Sequence, residues 1–234
     1  MNETTVEIFR SIIAMLTPEL VVTLVVDNGD GTYTMTTKCT WWLSINHKLM
    51  FGGNKYVVTS FVFNDSITVK SEGTPVVPVP GSQILPAPMF IHGTLKMANN
   101  DVDAQPDRTI LCPFVYLYEI IKDDKNTDEE SMIDRTTDTR LFFLHSVNSA
   151  SWTTDDHYTN FVKPMQQMVR LFVDIIKNSK LFTYNLDYSE TALINVSEKG
   201  DQTKGIFDCN LSGIELRLFA EIRENLSCSN NPCC

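Results

Sequence analysis

The sequence lacks long apolar runs and is poor in basic residues. It also lacks the two cysteine pairs that a four-cysteine structural zinc site requires. No run approaches the ~20 apolar residues that a membrane-spanning helix requires, so we expect no membrane partner. Lys and Arg total 19 against 29 Asp and Glu, a formal charge of −10. Nucleic-acid binding over a whole surface needs a positive field. The charge therefore argues against that class, although not against a local basic patch.

The six cysteines fit a reducing compartment better than a disulfide framework. Three occur singly in apolar or strand-like stretches, where a free cysteine behaves as a small hydrophobe: Cys39, Cys112 and Cys209. The other three lie in the last seven residues, within a segment over 227–234 that we expect to form a flexible tail. Cys228 and Cys233 have the spacing of a zinc pair, but no second pair exists. We expect no metal, and pairing of these cysteines stays open. Residues 1–16 hold Glu3 and Glu7 and no basic leader, so no signal peptide is expected.

Motifs that carry catalysis or cofactor binding are absent. The sequence contains no G-x-G-x-x-G, no P-loop and no G-x-S-x-G. Its four histidines are scattered over separate segments, so structural or surface roles are expected, with no catalytic residue and no cofactor. A hydrolase that uses His92 or His145 is the weakest alternative. Residues 27–31 resemble the start of a calcium loop, but Lys38 occupies the twelfth position, where a glutamate is required; a turn is predicted instead.

The first part of the chain predicts a helix followed by a small β module. Apolar residues at helical spacing favour a helix over 4–16 that ends before Pro18. Short strand-like stretches then alternate with Asn-Gly, Asp-Gly and Gly-Gly turn signals. This pattern indicates an antiparallel barrel or sandwich over residues 20–70. The helix, residues 1–19, is expected to pack with the second module.

Residues 71–88 hold half of the ten prolines and predict an extended arm or linker. Proline supplies no backbone donor and is excluded from central strands. We expect this segment to link two domains or to lie on a neighbouring subunit. Pro75, Pro78 and Pro80 are therefore candidate interface residues.

The second module, residues 89–226, predicts an antiparallel sheet with one long packed helix. Strands are expected at 89–97, 111–118 and 141–145, with a turn at 99–101. The acidic stretch 122–138 is expected to be a solvated loop. Apolar spacing predicts the helix over 159–179, and strict alternation predicts a strand over 214–222. The dipeptide at 212–213 is expected to supply a hairpin turn.

The predicted fold is therefore α+β, with a small all-β module inserted after the N-terminal helix. Three tryptophans are the remaining candidates for an interface. Adjacent residues of a strand point to opposite faces, so Trp41 or Trp42 should meet solvent or a partner. Trp152 lies in a polar loop ahead of the long helix.

Several segments resemble structural proteins of tailed bacteriophages. Residues 25–36 and their continuation through 56–69 are similar to the opening of small β insertions in Bacteroidetes phage-type structural proteins. The second module resembles neck and tail ring proteins of crAss-like phages. The segments that carry this resemblance are Phe90-Ile91-His92-Gly93-Thr94, Pro113-Phe114-Val115-Tyr116-Leu117, Phe142-Phe143-Leu144, Trp152 and Lys163-Pro164-Met165. More remotely, the order of elements is similar to tail-terminator and connector folds.

The resemblance implies a virion subunit, made in the host cytoplasm, that forms a ring between portal and tail. The resemblance also implies six- or twelve-fold symmetry. The expected partners are neighbouring neck or tail proteins, with DNA only as passing cargo. An acidic inner surface, including residues 122–138, would let the duplex slide. The alternative is an accessory virion protein that binds a glycan or host protein through the N-terminal β module.

Overall fold

The computed structural model describes residues 4–38, 40, 43, 45, 47–85, 87–103, 113–125, 135–146, 153–179, 181–182, 187–193 and 211–223. Within these residues the protein is mostly β, with 51% in strands, few helices and an antiparallel sheet curled into a half-barrel. None of the described helices is long and apolar enough to cross a membrane.

Helix α1 (Thr5–Ala14) begins at a capping box. The backbone N–H of Thr4 donates to Glu7 Oε2 at 2.7 Å, and the N–H of Glu7 donates to Thr4 Oγ1 at 3.3 Å. These bonds occupy backbone donors that the first helical turn leaves without partners. The Glu7 carboxylate accepts from the Thr4 backbone N–H and, at 3.0 Å, from the Thr4 hydroxyl, and these two bonds lower the pKa of Glu7. The buried face consists of Thr5, Ile8, Phe9, Ile12 and Ile13.

The first sheet has six strands in the order β3-β4-β5-β2-β1-β6. Its strands are β1 (Glu19–Asp27), β2 (Thr32–Thr37), β3 (Lys48–Phe51), β4 (Asn54–Val62), β5 (Ser66–Ser71) and β6 (Gly81–Ile84). The pairing register shifts between Val22 and Leu24 of β1 and between Val58 and Ser60 of β4. Such bulges bend a strand and increase its twist, which accounts for the curl.

Side-chain hydrogen bonds hold the turn between β1 and β2. Asp27 Oδ1 accepts from the N–H of Gly29 at 2.8 Å, and Asp30 Oδ1 accepts from the N–H of Thr32 at 2.9 Å. Gly29 and Gly31 have φ of 81° and 80°, a region that only glycine enters at little cost. The predicted turn is confirmed.

The proline-rich segment is not a linker along its whole length. Residues 81–84 form β6, which pairs antiparallel with β1 at the edge of the first sheet. The prolines lie outside this four-residue strand, so the ladder loses no donor. The expectation of an extended linker is therefore wrong for residues 81–84.

The second sheet has five strands in the order β10-β11-β9-β8-β7. They are β7 (Met89–Gly93), β8 (Phe114–Lys125), β9 (Arg135–Ser146), β10 (Asp187–Leu193) and β11 (Leu211–Ile222). All neighbours are antiparallel except β7 and β8, which run parallel.

Helix α2 (Leu95–Asp103) follows β7 and corrects two predictions. The strand expected over 89–97 ends at Gly93, whose φ of 128° leaves the strand conformation. Thr94 Oγ1 then accepts from the N–H of Met97 at 3.4 Å, as a residue that starts a helix does. The turn expected at 99–101 is helical, with Asn100 and Asp101 exposed.

The acidic stretch 122–138 is only partly a loop. Its ends extend β8 and β9, with Lys122 opposite Asp138 and Lys125 opposite Arg135. A count of acidic residues does not reveal this ladder, because it depends on the register in which the two strands pair. The prediction of a solvated loop is wrong at these two ends, and residues 126–134 lie outside the described part.

The long helix is built from three consecutive segments. Helix α3 (Thr154–His157) starts at Thr153, whose hydroxyl accepts from the N–H of Asp156 at 3.2 Å. A π-helical turn (Tyr158–Val162) follows, and helix α4 (Lys163–Asn178) completes the run. Pro164 lacks an N–H and would crowd the preceding turn of an α-helix, and the π turn lies directly before it. Asp156, in the first turn of α3, completes a capping box, since its carboxylate accepts from the N–H of Thr153 at 2.9 Å.

Strand β11 continues through the dipeptide that was expected to form a hairpin turn. Ser212 pairs with His145, and Gly213 lies between Leu144 of β9 and Leu193 of β10. A Cβ on Gly213 would collide with the Leu144 side chain and lie 2.8 Å from the Phe143 carbonyl oxygen. Glycine here permits close strand approach and marks no turn. Before β10 begins at Asp187, Phe182 forms an isolated antiparallel bridge with Ile222.

One apolar core joins helices α1 and α4 and the inner faces of both sheets. Phe172 of α4 lies 6.2 Å from Phe9 of α1 and 5.3 Å from Phe143 of β9, measured between ring centroids. A smaller cluster covers the other face of the second sheet beneath α2, around Tyr116 and Phe142. The second sheet is thus covered on both faces near β7 and β8.

Candidate functional site

The residues predicted to form an interface are only partly described. Trp41, Trp42 and Trp152 lie outside the described residues. Pro75 and Pro80 are exposed, whereas Pro78 is buried. The arm is anchored beside Pro75, because the Tyr56 hydroxyl donates to the Val76 carbonyl oxygen at 3.1 Å.

The outer face of the first sheet presents exposed apolar side chains next to its β6 edge. The bulge in β1 changes the alternation, so that Leu24 and Val26 turn outward with Val21. On β6, Ile84 pairs with Glu19 and lies diagonally across from Val21. We define the β1–β6 patch as Val21, Leu24, Val26 and Ile84, which are 44%, 56%, 47% and 70% exposed. Contiguous apolar side chains in water are typical of an interaction surface.

The other edge of the same sheet, at β3 and β4, exposes two further apolar residues, which we call the far-edge residues. Met50 of β3 is 54% exposed and Val62 of β4 is 60% exposed. Met50 alternates with the buried Leu49 and Phe51, and the register shift between Val58 and Ser60 turns Val62 outward. The sheet thus presents apolar side chains near both of its edges, on strands that do not touch each other.

A second cluster lies inside the protein, where His145 and His157 lie next to Ser212 and His47 lies close to His145. Ser212 and His145 are paired on β11 and β9 and are both buried. His157 Nε2 lies 3.4 Å from Ser212 Oγ, and the ring of His157 lies 5.0 Å from that of Phe161. Burial first, and the nearby His145 second, lower the pKa of His47 to about 4. Burial also lowers the pKa of His157.

The serine of this interior cluster is closed to solvent, since Ser212 has no exposed surface. No group of three or more metal-binding side chains occurs among the residues that the structure describes. Of the two histidines of the hydrolase alternative, His145 belongs to this cluster, while His92 lies on β7 with its ring 6.0 Å from Phe90.

Sequence patterns missed this convergence because it depends on the pairing of distant strands. One signal was present, since Ser212 is in phase with the apolar face of Ile214 and Leu216. A polar residue on that face has to be buried and hydrogen-bonded. The apolar face itself was predicted correctly, because all five of its residues are buried: Ile214, Leu216, Leu218, Ala220 and Ile222.

No protein-family model and no curated protein matches this chain.

Proposed function

We propose that this protein is a structural subunit of a tailed-phage virion that forms a closed ring between portal and tail. The β module inserted after α1 makes the contacts between subunits, and the second sheet with its long packed helix forms the body of the subunit. The observation that carries the proposal is the presence of exposed apolar side chains near both edges of the first sheet.

A ring requires two different surfaces on each subunit that fit each other. Head-to-tail contacts are heterologous, and they close into a ring when the rotation between neighbours divides a full turn. The β1–β6 patch provides one surface. The far-edge residues, Met50 and Val62, provide the other on the opposite side of the same sheet. Burying both in one contact removes from water the side chains that the monomer leaves exposed.

The charge of the chain suits a conduit for DNA. A net charge of −10 repels phosphates, so a duplex that passes through the ring is not held on its wall. We further propose that the ring has six- or twelve-fold symmetry and contacts neighbouring neck or tail proteins. The subunit is made in the host cytoplasm and is located in the virion.

Mixing two kinds of variant tests the head-to-tail contact. Leu24→Lys with Ile84→Lys disables the β1–β6 patch, and Met50→Lys with Val62→Lys disables the far edge. Each variant alone should sediment as a monomer in analytical ultracentrifugation, and an equimolar mixture should form a heterodimer, because one intact pair of surfaces remains. Met97→Lys, at a residue 54% exposed on α2, is the matched control and should assemble as the wild type does.

Two results would overturn the proposal. The first is assembly of either double variant to the mass of the wild type, since the contact would then lie elsewhere. The second is a mixture that stays monomeric although the wild type assembles, since the two surfaces would then not be partners.

A further inference from the structure

The outer face of the second sheet contains a groove that no part of the assembly proposal uses. The groove has a volume of ≈ 370 Å³ and is lined by Asp138, Asp187, Tyr188, Ser189, Arg217 and Phe219. These residues come from β9, β10 and β11, so a paired sheet fixes their spacing.

Strand register arranges four of the side chains as a small rectangle. Phe219 lies opposite Asp187, and Arg217 lies opposite Ser189. Directly opposed residues have Cβ atoms about 5 Å apart, and residues two apart along a strand are about 7 Å apart. The rectangle therefore has about the dimensions of one sugar ring. Tyr188 borders the groove, but its ring lies 5.6 Å from Lys177 Nζ, on the helix side of the sheet.

Each corner offers a different kind of contact. The ring of Phe219 is 46% exposed and provides a flat apolar surface. Arg217 donates from Nε at 3.2 Å and from Nη2 at 2.8 Å to Asp138. This two-point bond fixes the plane of a guanidinium that keeps further donors, with 62% of the side chain exposed. Asp187 and Ser189 are exposed on the facing strand and supply acceptors.

The charge of the groove disfavours an anionic ligand. Asp138 already neutralises Arg217, and the same pair raises the pKa of the guanidinium through its hydrogen bonds and charge. Asp187 adds a second carboxylate, so an anion would meet net negative charge. Two aromatic residues, Tyr188 and Phe219, line the groove together with four polar side chains, so it offers both apolar surface and hydrogen-bonding groups.

We propose that this groove binds a neutral saccharide. The apolar C–H face of the sugar packs on Phe219, and its hydroxyls bond Arg217, Asp187 and Ser189. This inference goes beyond the assembly proposal and does not depend on it. It also places saccharide binding on the second sheet, whereas the sequence pointed to Trp41 and Trp42 in the N-terminal module.

Saturation-transfer NMR on the full chain with neutral hexasaccharides tests the site. The probes are maltohexaose, cellohexaose, mannohexaose and chitohexaose, with a heparin hexasaccharide as the anionic comparison. At least one neutral probe should receive saturation, and the heparin probe should not. Phe219→Ala and Arg217→Gln should each weaken that binding about tenfold or more, which is the loss of one good contact. Tyr158→Ala, which removes a ring 50% exposed outside the groove, should change binding less than twofold.

Asp187→Asn keeps the size of the side chain and leaves the sheet intact, so it tests the site if Phe219→Ala fails to fold. It should weaken binding of the neutral probe while the unfolding midpoint stays unchanged. Saturation of no neutral probe, binding of the heparin probe alone, or binding that survives both Phe219→Ala and Asp187→Asn would overturn the proposal. So would a change in oligomeric mass with Phe219→Ala, since a second copy would then occupy the groove.

Discussion

Phe143 of β9 and Phe172 of α4 meet edge to face, with ring centroids 5.3 Å apart and an interplanar angle of 65°. This contact joins the second sheet to the long helix, and Phe9 extends it from Phe172 to α1. Edge-to-face pairs add stabilisation beyond the burial of their area. The three rings therefore connect the N-terminal helix to the body of the protein.

Replacement of Phe172 by alanine should destabilise the protein strongly. The residue has no exposed surface, and truncation of a buried phenylalanine costs about 3–5 kcal/mol because a cavity remains. Urea unfolding followed by circular dichroism measures the change. The matched control is Arg170→Ala, an exposed position on the same helix, which should cost less than about 0.5 kcal/mol. Similar losses for the two variants would contradict this account of the core.

Replacement of Gly213 by alanine should destabilise the second sheet. The added methyl would meet the Leu144 side chain and the Phe143 carbonyl oxygen, and overpacking of this kind costs about 1–3 kcal/mol. Gly81→Ala is the control, because nothing lies within 4 Å of its Cβ position and its φ is not positive. If both variants unfold at the wild-type urea midpoint, the close approach of β9 and β11 at Gly213 is not as described.

The free energy of unfolding should fall as the pH is lowered from 6.5 to 4, because His47 titrates at different pH values in the folded and unfolded states. Burial, and then the nearby His145, holds the pKa of His47 at about 4 in the folded state, while the unfolded value is about 6.5. Above pH 6.5 the ring is neutral in both states and nothing is lost. Between pH 6.5 and 4 the unfolded state binds the proton first, so the free energy of unfolding falls by up to about 3 kcal/mol.

Urea unfolding at a series of pH values compares the wild type with His47→Gln. The difference between the two curves isolates His47, because the carboxylates that titrate at low pH are shared. The wild type should lose stability relative to the variant from pH 6.5 down to 4 and no further below that. A difference that stays constant across this window would show that His47 is not buried in its neutral form.

Local patterns predicted those parts of the fold that local physics determines. The Asn-Gly and Asp-Gly steps predicted the turn after Asp27, because only certain residues adopt positive φ. Alternation predicted the buried face of β11, since one side of a strand faces the core. The apolar spacing of α4 predicted the side that carries Phe172.

Other features depend on contacts that no short window of sequence contains. Gly213 was interpreted as a turn residue, because its role arises only when β9 packs against β11. His47, His145 and His157 are scattered along the sequence and were predicted to have separate roles. They come together only through strand pairing and the start of α3, which the sequence alone does not show. The groove around Arg217 and Phe219 forms only when β9, β10 and β11 pair in their observed register. The residue types along each strand therefore did not predict it.

The mass distribution of the wild-type chain tests the ring proposal most directly. Native mass spectrometry at increasing protein concentration distinguishes a closed ring from other assemblies, because closure leaves no free surface for further addition. The proposal predicts one species of six or twelve subunits whose mass does not grow with concentration. A chain that stays monomeric at every concentration, or an open series in which each mass exceeds the last by one subunit, would contradict it.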